Sequence, residues 1–149
     1  MSEDLRQRAL RLLARRDHAR AELRRKLAPY AESGDALEAL LDALAERRLL
    51  SDSRYAEMRV NVRGARYGNA RLAQELKAQG VAAETVATAL AAAGSELARA
   101  QAIWRRKFGT LPADADERAR QARHLMNKGF SGDVVRRVLR GEGSEQEEE

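Results

Sequence analysis

Residues 125–139 read LMNKGFSGDVVRRVL, and 49 positions earlier residues 76–90 read LKAQGVAAETVATAL. At that offset Gly129 falls on Gly80, Phe130 on Val81, Asp133 on Glu84, Val135 on Val86 and Leu139 on Leu90. A second shift by 49 keeps the apolar frame, with Leu27, Leu37 and Leu41 meeting Leu76, Val86 and Leu90, and Asp35 meeting Glu84. The tripeptide Ser33-Gly34-Asp35 returns as Ser131-Gly132-Asp133, and upstream Tyr55 meets Trp104 and Val62 meets Leu111. One constant offset over so many positions marks an internal repeat, which fixes the architecture before any single motif does.

Each copy reads as three helices. In the first, Ser2 is placed to cap a helix running to about Arg16, with Leu5, Ala9, Leu12 and Leu13 inward. A short helix spans about Ala19 to Ala28, and Pro29 with Ser33-Gly34 breaks it. Leu37, Leu40, Leu41 and Leu44 then recur at helical spacing up to about Arg48. In the second copy Ser51 or Asp52 starts a helix to about Arg66, Gly68-Asn69 turns the chain, and Gly80 and Gly94 stop the next two helices. The third begins near Ser95, pauses at Gly109–Pro112, resumes to Lys128, and ends near Arg140. The expected organisation is repeat 1 over residues 1–50, repeat 2 over 51–94, repeat 3 over 95–140, and a disordered acidic tail over 141–149. Three short amphipathic helices make a core that is marginal alone, so neighbouring copies are expected to cover one another in an elongated, curved array.

Composition agrees. Of 149 residues, 29 are Ala and 19 Leu, against one Ile and seven Val, and only 4% are aromatic. Strands want β-branched and aromatic side chains, so the fold class is all-α. With no cysteine, disulfides and thiolate chemistry are excluded. Acids near the start and the lack of any long apolar run point to a cytoplasmic protein with no membrane partner.

Nothing in the sequence supports catalysis or a cofactor. His18 and His124 lie in different copies without metal-binding partners and read as solvent-facing or core-edge residues. No phosphate loop occurs, and Glu38 and Asp42, four apart, read as helix surface. Trp104 and Phe108 sit in the basic run WRRKFG, where aromatics can stack on nucleotides. Their repeat-equivalents Tyr55 and Leu10 favour core packing.

The basic residues are more suggestive. They number 28, of which 24 are Arg, and all precede Gly141. Set against 18 acids they give the body a charge of +10, while the five acids of the last nine residues give the tail −5. Arg16, Arg20 and Arg24 are spaced by four, although a helix start at Asp17 would divide that line. Arg59, Arg63 and Arg66 share a face of the fourth helix, and repeat 3 adds Arg105, Arg106, Lys107, Arg118, Arg120, Arg123, Arg136, Arg137 and Arg140. Guanidinium groups grip phosphate or carboxylate through paired hydrogen bonds, so this face suits DNA or an acidic protein. Salt-bridged solvent faces are the alternative, as for Arg71 with Glu75. They fit repeat 3 poorly, because residues 100–140 hold ten bases against four acids.

In order along the chain, LLARRDHARAELRRKL (12–27), LLSDSRYAE (49–57), GNARLAQELKAQGV (68–81), WRRKFG (104–109) and RQARHLMNKGFSGDVV (120–135) resemble the RecX family, regulators of the RecA recombinase. The resemblance covers about residues 5 to 140. It implies three tandem three-helix units, no cofactor, and an activity: binding the RecA–DNA filament in its groove and limiting its growth, ATPase and strand exchange. Two departures stand out. Ala19 occupies a position where a capping Ser is usual, so the capping box with Glu22 is expected to be lost at about 1 kcal/mol. His124 replaces a usual aromatic.

Two functions from different classes follow. One is a non-enzymatic, monomeric inhibitor that binds the RecA filament, with weak single-stranded DNA contact. The other is a helix-turn-helix-like DNA-binding protein. A groove reader concentrates its reading side chains on one recognition helix, usually in a dimer. Here the bases are spread over three copies and no dimerisation segment is visible, which favours the first.

Overall fold

The computed structural model describes residues 3–142. The expected cap Ser2 and most of the acidic tail lie outside them. Among the described residues the chain forms helices and turns without strands: α1 (Leu5–Arg15), α2 (Arg20–Leu27), α3 (Gly34–Glu46), α4 (Asp52–Arg63), α5 (Asn69–Ala78), α6 (Ala83–Ala92), α7 (Glu96–Lys107), α8 (Ala115–Asn127) and α9 (Gly132–Leu139). The all-α class and the three successive helix triplets are as the repeat requires. Asp4 caps α1, accepting from the Gln7 N–H at 2.7 Å while the Gln7 side chain accepts from the Asp4 N–H at 3.1 Å. Pro29 does not simply break α2, because Ala28–Tyr30 continue as one 3₁₀ turn. Ser33 and Ser131 cap α3 and α9 through the N–H groups of Ala36 and Val134, which is the physical content of the recurring Ser-Gly-Asp.

The matched apolar positions are core positions. Ala9, Leu23, Leu27, Leu37, Leu41, Leu44 and Leu50 form one buried cluster, and Ala100, Ile103, Trp104, Leu125, Phe130, Val135, Val138 and Leu139 another. Tyr55, the equivalent of Trp104, is also buried. The Trp104 indole N–H donates to the buried Gln121 Oε1 at 2.8 Å, so the aromatic in the basic run is structural, as its repeat position indicates. The Val62–Leu111 match is different, since both side chains are exposed.

Compact units do not coincide with sequence copies. One unit comprises residues up to Met58 together with Leu76–Ala89, and the other Arg59–Glu75 together with Leu90 onward. Each holds one junction between consecutive copies, built from the same pair of contacts. In the first, Asp52 Oδ1 at the start of α4 accepts from the Arg20 N–H that opens α2, at 2.7 Å. In the second, Glu96 Oε2 at the start of α7 accepts from the Asn69 N–H that opens α5, at 2.9 Å. The preceding residues, Ala19 and Gly68, have no side-chain oxygen, so the following copy supplies the acceptor. The last copy has no successor among the described residues, and α8 is capped locally by Asp114, 2.8 Å from the Glu117 N–H. The capping box at Ala19 is accordingly only half lost: the Glu22 carboxylate still accepts from the Ala19 N–H at 3.3 Å, and Asp52 satisfies another first-turn donor, the Arg20 N–H.

A second contact at each junction explains the recurring glycine. Gly80 and Gly129 adopt φ of +82° and +96°. A Cβ on Gly80 would lie 2.6 Å from the Ala21 Cβ, and one on Gly129 would lie 2.4 Å from the Arg71 Cβ. Each turn is thus pressed onto the first turn of the preceding copy's second helix, and Gly129 C=O also accepts from the Ala70 N–H at 3.2 Å. The corresponding residue of the first copy is Ala31, with φ of −83°. No earlier copy meets it among the described residues.

His18 is not at the surface or core edge as expected, but buried, 2% exposed. Its Nδ1–H donates to the Arg16 C=O at 3.1 Å and its Nε2 accepts from the Lys26 ammonium at 2.9 Å, which requires a neutral ring. Glu22 completes the cluster, gripping Arg16 at 3.1 and 2.6 Å and lying 3.8 Å from Lys26. Burial pushes the His18 pKa below its usual 6.5. The Arg16 carbonyl and Glu22 oppose that shift, while the charges of Arg16 and Lys26 reinforce it.

Two predictions follow from these contacts. Asp52→Ala and Glu96→Ala should each cost about 1 kcal/mol in urea unfolding, the usual worth of a lost N-terminal cap. The exposed first-turn acid Glu84 serves as control, and equal effects at all three sites would remove the junction role. For His18, the unfolded chain takes up its proton near pH 6.5, before the folded one. Stability is therefore full above 6.5 and falls as pH drops toward the lower folded value, by at most about 2 kcal/mol at about pH 5. His18→Gln can keep both hydrogen bonds without titrating, so its melting temperature should fall less between about pH 7 and pH 5. Parallel curves for the two proteins would exclude His18 as the source.

Candidate functional site

The basic residues divide by what holds them. The line Arg16, Arg20, Arg24 is consumed internally. Arg16 pairs with Glu22, Arg20 reaches Glu38 at 3.0 Å and Asp42 at 2.6 Å, and Arg24 grips Glu38 at 2.5 and 3.2 Å. Glu38 and Asp42 are thus structural counter-ions, and Arg24 followed by Arg20 holds the Glu38 carboxyl down at about 2.

On the α4 side, Arg59 is half-buried. Arg63 is committed, with its two nitrogens each 2.7 Å from a Glu75 oxygen and its guanidinium 4.5 Å from the Tyr67 ring centre. Arg71 covers the same ring at 4.2 Å and Lys128 lies 5.3 Å from it. Arg66 does not share the α4 face, because the helix ends at Arg63 and Arg66 lies exposed in the turn beyond. The end has a cause. Arg99 Nη1 donates to the carbonyls of Gly64 and Tyr67, both at 3.3 Å, and its Nη2 bonds the Asn69 side chain, so a guanidinium from α7 fills the place of the next helical turn. Arg99 shows no preference for the surface in the sequence, and its role was not anticipated.

In the third triplet, Arg105 and Arg106 are exposed, and Arg106 Nη2 donates to the Ala65 C=O at 3.1 Å. Arg120 pairs with Glu117 at 3.0 Å through both nitrogens and lies 5.1 Å from the Phe108 ring centre. Arg120, then Gln121, hold Glu117 at about 2. Phe108 meets His124 edge-on at 5.4 Å, so the histidine does the packing of the aromatic it replaces. Burial lowers the His124 pKa, reinforced by Lys107, Lys128 and Arg120. Arg123 is exposed. Arg136 approaches Asp133 only at 4.0 Å and is 64% exposed. Arg137 and Arg140 both bond Glu142, at 2.5 and 3.3 Å. In repeat 3 the carboxylates that do pair, Glu117, Asp133 and Glu142, each meet an arginine close by in sequence, and the excess of base over residues 100–140 stands.

Among the described residues no group of three or more His, Asp or Glu is placed to hold a metal, and no helix is long and apolar enough to cross a membrane. Of the open concave sites described, the one beside α7 is lined by three arginines, Arg99, Arg105 and Arg106, without a carboxylate, whereas the others mix single arginines with Glu3, Glu75 or Glu117. What the molecule offers chemically is a set of fixed guanidinium donors, a surface for anions.

A chain of tandem three-helix units with a guanidinium-rich surface defines a class, and sequence comparison places it. Residues 6–44, 51–90 and 95–139 match, in order, the first, second and third three-helix domains of RecX. The chain belongs to the RecX family. It is 53% identical over 137 residues to the regulatory protein RecX of Leptothrix cholodnii, covering 91% of this chain and 87% of that one. It is 51% identical over 138 residues to the one from Ralstonia nicotianae, covering 92% and 87%. The fold is shared with the crystal structure of RecX from Lactobacillus salivarius, with a TM-score of 0.81 at 19% identity over 92% of this chain and 93% of that one.

Glu142 is the first acid of the tail, and it already occupies Arg137 and Arg140. Deleting residues 141–149 frees both and raises the net charge from +5 to +10, as five acids and no base are removed. The truncated protein should bind random single-stranded DNA more tightly at low salt, the gap closing as screening shortens to about 10 Å near 0.1 M. Fluorescent oligonucleotide titrations of both forms at two salt concentrations measure it. Equal affinities at low salt would reduce the tail to a solubility feature.

Proposed function

We propose that this chain is a non-enzymatic modulator of RecA that binds the RecA–DNA filament in its groove and limits filament growth, ATPase and strand exchange. The observation that carries the reading is the ordered match of all three RecX domains over residues 6–139. The guanidinium-rich surface supports it, because a protein–DNA filament presents both carboxylates and phosphates, and Arg serves either. The protein acts in the cytoplasm as a monomer, touches single-stranded DNA weakly, and needs no cofactor.

The contact lies on Arg59, Arg66, Arg105, Arg106, Arg123, Arg136, Arg137 and Arg140, with Arg63 and Arg120 contributing less because each is held by both a carboxylate and a ring. The test is RecA ATPase on single-stranded DNA with substoichiometric amounts of this protein. The wild type should inhibit. Arg136→Glu with Arg137→Glu should inhibit less while changing stability by no more than about 0.5 kcal/mol, as exposed sites do. Inhibition equal to wild type would remove α9 from the contact, and a wild type without effect on RecA would defeat the proposal.

A further inference from the structure

A groove of about 530 Å³ lies beside α7, lined by Ala65, Ala98, Arg99, Ala102, Arg105 and Arg106. The alanines are exposed, and Ala98 and Ala102 lie four apart on the α7 face opposite the buried Ala100, Ile103 and Trp104. No carboxylate lines it among the described residues. Two of its arginines are fixed in place: Arg99 is tied to the carbonyls of Gly64 and Tyr67, and Arg106 to that of Ala65. Arg99 makes no ion pair with a described carboxylate, and its Nε is buried without a hydrogen-bond partner. Burial pulls its pKa down, with Glu96 the only charge opposing that shift. A desolvated cation of this kind favours an anion close by.

The geometry points to this groove as the docking site for an acidic segment of a protein partner, one in which carboxylates alternate with small or medium apolar side chains. Charge complementarity selects the carboxylates, and the methyl floor selects the apolar groups between them. A nucleic-acid strand fits less well. Its phosphates gain nothing from an alanine floor, and single strands are ordinarily held by aromatic stacking. No aromatic lines this groove, and the nearby Tyr67 ring is covered by Arg63 and Arg71. The assignment goes beyond the RecA reading, since it specifies the chemistry of a partner segment and can be measured without RecA.

The experiment uses the full chain and two fluorescent probes. One is a peptide of about twelve residues alternating Glu with Leu and Ala, about 18 Å long if helical. The other is an oligothymidine. Ala102→Trp fills the floor, and Arg105→Gln removes a charge. Each should weaken peptide binding by roughly tenfold, the effect of losing a single central contact. Ala102→Trp should leave oligothymidine affinity as it is. Ala98→Leu, a smaller filler, repeats the test should the tryptophan variant melt early. Unchanged peptide affinity in both floor variants, or a wild type that ignores the peptide, overturns the proposal. Loss of oligothymidine binding in step with the peptide also overturns it, and gives the groove to phosphate. The RecA ATPase assay run on the same proteins keeps the two readings apart: a wild type that binds the peptide and fails to inhibit RecA defeats only the recombinase reading.

Discussion

The backbone N–H groups that open α2 and α5 depend on a carboxylate from the next domain. A helix N-terminus exposes donors that its own turns cannot satisfy, and a residue ahead of it normally supplies an oxygen. Ala19 and Gly68 cannot. Asp52 and Glu96, each the first residue of the following domain's first helix, do so instead. The same helix ends also receive the following domain's glycine turn, Gly80 on Ala21 and Gly129 on Arg71. The first turn of α2, and likewise of α5, is therefore held at two places by its successor. Sequence domains and compact units differ for this reason. The contacts that tie a domain to its neighbour are as specific as those within it, and the division of the chain falls inside α4, α5 and α6.

The repeat was readable because burial imposes the same residue classes at the same place in each copy. Leu27, Leu76 and Leu125 are all buried, as are Leu37, Val86 and Val135. Glycine at 80 and 129 was visible as a match, but its cause was not. A helix-stopping glycine and a glycine required by close approach look alike until the facing residue is known. Asp52 reads as a start for its own helix and Glu96 carries no signal at all, since nothing local shows that their acceptor capacity is used 32 and 27 residues away. His18 was misjudged for a related reason. A lone histidine in a polar run reads as surface, and its burial depends on Lys26 and the Arg16 carbonyl both facing the ring.

The candidate site was less legible than the fold. Charge counts show how many arginines a segment has, not which of them are already spoken for. Arg63 is among the bases expected on the contact face, yet Glu75 and Tyr67 hold it. Arg99 was outside that set, and it terminates α4 and backs a groove. The distinction is between guanidinium groups that shape the backbone and those that merely face water, and only three-dimensional proximity separates them.

Exposed ion pairs are worth about 0–1 kcal/mol. Arg137 and Arg140 on Glu142 can therefore exchange that carboxylate for one on a partner at little net cost, whereas Arg99 is tied to the Gly64 and Tyr67 carbonyls of the turn that follows α4. The excess of 24 Arg over four Lys follows from the same chemistry. Arg63 meets a carboxylate through its edge and a phenol through its face, and Arg120 does so with Glu117 and Phe108. A planar guanidinium offers both surfaces at once, and a lysine ammonium offers neither an edge nor a face. Much of the arginine bias is thus demanded by the fold. The share left for a partner is the smaller set whose counter-ions are exposed, local and easily exchanged.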